Sequence, residues 1–198
     1  MLIMKDLNIV GNKVREFSLE LLHEWVSSDS LRKHCYAVAA AMEEYAMKNK
    51  LPREEIDKWW ICGLLHDFDY EKFPSMEKHP FEGVKILREK NYDEKIVNAI
   101  IGHGNHTGVK RESDMAKTLF AVDELCGLIM ALAKVRPGNF DGMNANSVKK
   151  AMKKKDFAAA INREDIKQGI QELGVNEDEH FEIVIRALKI CKKDLGFC

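Results

Sequence analysis

The run Gly63-Leu64-Leu65-His66-Asp67 ends an apolar stretch on an imidazole and a carboxylate side by side. An ionised carboxylate buried without a partner costs several kcal/mol, so Asp67 demands a cation. A metal ion meets that demand, and His66 offers a neutral nitrogen to the same ion. The competing reading pairs Asp67 with an arginine and leaves His66 a satisfied core histidine. Asp123, between Val122 and Leu125, poses the same problem in another apolar run, and there a buried pair with Lys or Arg weighs evenly against metal. His34 stands beside an apolar stripe. His103 sits in a glycine-flanked loop, His79 stands before Pro80, and His106 follows His103 by three residues. His79 has a helix-capping alternative, and His106 fits a ligand, a substrate contact or a surface residue. His23 and His180, in charged surroundings, are expected at the surface. As a set, these residues point to metal-dependent hydrolysis.

Helical periodicity must position them. Apolar spacing predicts helices over about 13–26 and 31–48, the second begun by the capping cluster Ser27-Ser28-Asp29-Ser30. Pro52 opens a third, dense enough in large apolar groups to be fully buried, that ends at His66-Asp67. A loop over 68–78 follows, then a helix from Pro80 and another from about Asp93 to Ile101. The glycines of Gly102-His103-Gly104-Asn105-His106-Thr107-Gly108 permit a tight loop. Ser113 caps a helix to about Val135. Asn162 caps one that Gly174 ends, and Asn176 caps a last one to about Leu195. The expectation is an all-α fold, with residues 1–137 as the helical core and 138–198 as a C-terminal helical extension packed on the same domain.

Hydrophobic residues at 45% and charged residues at 32% indicate a globular chain that can build a core. A formal net charge of -1 leaves no global field to attract nucleic acid or a membrane surface. Met1-Leu2-Ile3-Met4-Lys5-Asp6 lacks the apolar core and cleavage site of a signal peptide, so the expected location is cytoplasmic. The five cysteines form no CxxC pair and read as reduced thiols, with Cys198 a tail thiol.

The order His34, His66-Asp67, Asp123 resembles that of the HD-domain metal-dependent phosphohydrolases, over roughly Ser30 to Pro137. His79-Pro80-Phe81-Glu82-Gly83-Val84 and Ala99-Ile100-Ile101-Gly102-His103 are similar to the further histidine segments of members with a two-metal centre. The chain also resembles bacterial HDIG-type hydrolases and, more distantly, YqeK-type dinucleotide hydrolases. The resemblance implies an HD-domain helical bundle with extra C-terminal helices. It implies a first metal held by His34, His66, Asp67 and Asp123, and a second held by His79, His103 and a bridging Asp67. Gly104 replaces the second histidine of HD-GYP phosphodiesterases, Tyr70 replaces their lysine, and no GYP motif follows, which disfavours cyclic-di-GMP as substrate.

The cofactor expected is one or two divalent transition-metal ions, Fe, Mn, Co, Ni or Zn, with Mg admitted. The expected activity is hydrolysis of a small phosphorylated molecule, of the nucleotide class, by metal-activated water, as a phosphomonoester or a phosphoanhydride. Asp67 is expected at the reaction centre, with His106 and Asp69 as general-acid candidates. Arg136, Lys149 and Lys150 are the substrate-binding candidates, against a reading of the lysines as a solvated face. No nucleic-acid polymer or membrane partner is expected, and self-association is open. The rivals are a di-iron oxygenase and a non-catalytic helical signalling or binding module.

Overall fold

The structure, a computed structural model, describes residues 12–197. The N-terminal hexapeptide and Cys198 lie outside the described residues. Nine α-helices and one short 3-10 turn, Asn105–Thr107, make up the regular structure among the described residues, with no strand there. The helices are α1 (Asn12–Trp25), α2 (Asp29–Lys48), α3 (Arg53–Leu65), α4 (Phe81–Glu89), α5 (Glu94–Ile101), α6 (Asp114–Val135), α7 (Ala145–Lys153), α8 (Arg163–Leu173) and α9 (Glu177–Ile190). The fold is all-α. Short polar side chains start most of them: Ser28, Asp93, Ser113, Asn144, Asn162 and Asn176 each accept a hydrogen bond from a first-turn backbone N–H. Gly174, at φ 68°, ends α8 in the left-handed conformation that glycine adopts without a Cβ penalty.

Helix α6 is the axis of the packing. It meets α2, α3, α5, α7, α8 and α9. Two crossings are tight because one partner is glycine. A Cβ on Gly63 of α3 would stand 2.8 Å from the Ala39 backbone of α2. A Cβ on Gly169 of α8 would stand 2.6 Å from Ala121 Cα of α6. The first crossing sets the end of α3 beside the start of α2, which brings His66 to His34. The second seats α8 on α6 two residues before Asp123.

Within the expected C-terminal helical extension, residues 145–153 form α7, held by an Asn144–Ser147 capping box, with only the small stripe Ala145, Val148 and Ala151 buried. Two expectations are corrected. Helix α9 stops at Ile190 rather than Leu195, and the turns after it bury Leu195 and bring Phe197 edge-on to Phe140. His180 is fully buried, not at the surface. Its Nε2–H donates to Ala121 O at 3.0 Å, and its Nδ1 accepts from the Tyr45 hydroxyl. Burial pushes that imidazole down to about 4.

Cys35, Cys62 and Cys126 are free and buried, and Cys191 is free and half-buried. Among the described residues no helix is long and apolar enough to cross a membrane.

Candidate metal centre

Six side chains from five segments meet at the α2–α3–α6 junction. His34 comes from the second turn of α2, His66 and Asp67 from the end of α3, and Asp123 from the middle of α6. His79 comes from the turn before α4, and His103 from the turn after α5. They form two trios: His34, His66 and Asp123, and Asp67, His79 and His103, each with one donor atom per residue within 4.8 Å of the others.

In the first trio His34 Nε2 stands 3.2 Å from His66 Nε2 and 2.9 Å from Asp123 Oδ1, and His66 Nε2 stands 3.4 Å from Asp123 Oδ1. In the second, His79 Nε2 stands 3.1 Å from His103 Nε2. Nitrogen and oxygen ligands about 2.1 Å from one ion, at angles of about 90–110°, stand about 3.0–3.4 Å apart. Both trios have that spacing.

Asp67 joins them. Its Oδ2 faces the first trio, 3.4 Å from His66 Nε2 and 3.8 Å from His34 Nε2. Its Oδ1 faces the second, 3.2 Å from His79 Nε2 and 3.4 Å from His103 Nε2.

The outer nitrogens decide what the inner ones can do. His66 Nδ1–H donates to Gly63 O at 2.8 Å, and His103 Nδ1–H donates to Ile100 O at 2.6 Å. His79 Nδ1–H donates to Asp69 Oδ1 at 2.7 Å. All three acceptors lack a hydrogen to give, so each neutral ring turns a bare Nε2 inward. In the second trio three lone-pair donors, two Nε2 and Asp67 Oδ1, then face one another with no hydrogen between them. Such a cage needs a cation, either extra protons or a metal, and a donor set of imidazole and carboxylate suits a divalent transition metal.

Protonation follows the same logic. Burial alone would lower the His79 imidazole, but Asp67 and Asp69 outweigh it and raise it to about 9. Burial is likewise outweighed at His66, which Asp67 and Asp123 hold well above its ordinary value. Burial would raise Asp67 and Asp123, but the facing histidines hold both carboxyls down. Glu124, next to Asp123, is raised to about 7 by burial and by the Asp123 charge.

Of the general-acid candidates, Asp69 lies behind His79. It is fully buried, and its two oxygens accept from His79 Nδ1 and, at 2.8 Å, from Gly83 N. Its geometry fits the orientation of His79, not contact with a substrate. His106 is exposed, stacks on His79 at 6.2 Å between ring centroids, and donates Nε2–H to His79 O at 3.0 Å. Its Nδ1 is therefore the ring atom left to exchange a proton.

The expected substrate cations are not gathered here. Arg136 caps α6 thirteen residues past Asp123, about 20 Å along the helix axis. Its guanidinium donates to Asn139 O at 3.2 Å and Asp141 O at 3.0 Å in its own turn. Lys149 pairs with Glu177 and Asp178 at the start of α9, and Lys150 is exposed beside it on α7.

The sequence reading did not single out Arg111, Asn105 or the α8 side chains Asp165, Gln168 and Glu172, which surround the His103 turn. The α8 spacing of three and four residues marks one helix face, a signal indistinguishable from a solvated polar stripe.

Compared with protein families, residues 31–128 match the family model described as the HD domain. No curated protein and no solved structure matches the chain.

Proposed function

From the premise that this chain belongs to the HD-domain family through residues 31–128, we propose that it is a metal-dependent phosphohydrolase acting on a small phosphorylated molecule of the nucleotide class. The observation that carries the reading is the division of Asp67, one oxygen toward each histidine trio. His34, His66, Asp123 and Asp67 Oδ2 would hold one divalent ion, and Asp67 Oδ1, His79 and His103 a second. Ions bound there would supply an acidified water as nucleophile and offset charge on a phosphoryl oxygen.

The remaining work falls to the chain. Asp69, Gly63 O and Ile100 O fix the ring orientations, so that each Nε2 lone pair points inward before any ligand arrives. His106, held by the His79 carbonyl, would carry a proton on Nδ1 for the leaving oxygen. The nucleotide class rests on the family resemblance alone.

A screen of nucleotides and sugar phosphates with Mn, Co, Ni and Mg, read by phosphate release, tests the reading. Turnover is expected with at least one metal, and Asp67→Ala should lose both metal content and turnover. Metal content unchanged in Asp67→Ala, or oxygen uptake without phosphate release, would overturn it.

A further inference from the structure

Arg111 lies between the 3-10 turn and α6, and its side chain is only 6% exposed. Four of its five N–H hydrogens reach three segments. Nη1 donates to Gly102 O at 2.9 Å, Nη2 donates to Asn105 Oδ1 at 2.9 Å, and Nε and Nη2 form a fork on the Glu172 carboxylate at 2.7 and 2.8 Å. The guanidinium also lies 3.6 Å over the Phe120 ring of α6.

Gly102 and Asn105 straddle His103. Gly102 ends α5, where a carbonyl has no partner within the helix, and a cation there also meets the negative end of the helix dipole. Asn105 is fixed a second time, donating Nδ2–H to Asp165 Oδ1 at 3.0 Å and Gln168 Oε1 at 3.1 Å. Asp165, Gln168 and Glu172 share one face of α8. His103 is thus held from both sides by one guanidinium, which is itself anchored on α8, a helix beyond the segment that matches the family.

We infer that Arg111, braced by Glu172, is a positioning residue for the second metal position, and that α8 is part of that position's outer support. The inference rests on the proposal that His103 is a metal ligand. It predicts selectivity: no Arg111 hydrogen bond reaches a residue of the His34–His66–Asp123 trio. Only a planar fork spans a helix-end carbonyl, an amide and a carboxylate together, so a lysine point charge should not replace it.

The test is Mn(II) titration of the full chain, with free Mn(II) counted by its EPR signal. Wild type should bind two equivalents and His103→Ala one. In Arg111→Ala and Arg111→Lys the second equivalent should weaken about ten- to a hundredfold, as for lost outer partners of metal ligands, with the first unchanged. Glu172→Gln, which keeps the shape and removes the charge, should fall between. Fewer than two equivalents in wild type, or no loss in His103→Ala, would sink the underlying metal assignment. With those controls intact, a second equivalent of wild-type affinity in both Arg111 variants overturns the inference. Parallel loss of both equivalents also overturns it, because Arg111 would then be a strut for the whole fold.

Discussion

Asp69 gives the sharpest perturbation of the centre without replacing a proposed ligand. It is fully buried and serves two donors, His79 Nδ1–H at 2.7 Å and Gly83 N–H at 2.8 Å, one per oxygen. Asp69→Asn preserves the shape but leaves one oxygen for two hydrogens. The Gly83 N–H is fixed by the backbone at the start of α4, so the amide oxygen must stay with it. The amide NH2 then faces His79 Nδ1 and forces the ring into the Nε2–H form. That places a hydrogen on the atom 3.1 Å from His103 Nε2, where a lone pair is required. An aspartate-to-asparagine change strands an imidazole in the wrong tautomer in the same way in hydrolase triads. Outer partners of metal ligands are worth about ten- to a hundredfold in affinity, about 1.4–2.8 kcal/mol. Calorimetric titration with Mn(II) should therefore show the second equivalent weakened by that factor and the first retained. Gly83→Ala should give the same result by steric means, because its Cβ would stand 2.7 Å from Asp69 Cγ and drive the carboxylate off His79. If Asp69→Asn binds its second equivalent as tightly as wild type, the tautomer argument is wrong.

Two further outcomes are expected of the scaffold. The neutral His180 imidazole, lowered to about 4 against an unfolded value of about 6.5, gives stability that is complete above pH 6.5 and declines as pH falls toward 4. The full loss is about 3 kcal/mol, and urea midpoints compared between wild type and His180→Gln, which keeps one donor and one acceptor, should diverge across that window; parallel curves would refute it. Gly63→Ala drives a methyl to 2.8 Å from the Ala39 backbone, where no side chain can yield. It should cost about 1–3 kcal/mol in thermal unfolding, and an unchanged midpoint would show that the α2–α3 crossing has slack.

The all-α fold was legible because apolar residues recur at helical spacing and capping residues stand before most of the runs. The set His34, His66, Asp67, His79, His103 and Asp123 was legible through the family resemblance. The residues alone carried less: His66-Asp67 and Asp123 break apolar runs, where a polar side chain must find partners, whereas His79 stands between Lys78 and Pro80. What stayed hidden depends on long-range pairing. His180 sits among acids in sequence, yet it shares a stripe with Val184 and Leu188, and only the fold supplies Ala121 O and the Tyr45 hydroxyl. Arg111 meets Glu172 across 61 positions, and neither residue type announces a partner at that distance. Arg136 and Lys149 look available in sequence because their partners, backbone carbonyls of a turn and the acids that open α9, carry no local signal.

The seating of α6 bears on where this protein can be cut. The Ala121 peptide is pressed by Gly169 on one side and takes the His180 hydrogen bond on the other. A fragment ending at residue 128 would stop inside α6 and strip both neighbours from the turn that carries Asp123. It would also bare apolar surface that Phe181, Val184 and Leu188 now cover. The stretch that kinship outlines is therefore shorter than the stretch that water will tolerate alone.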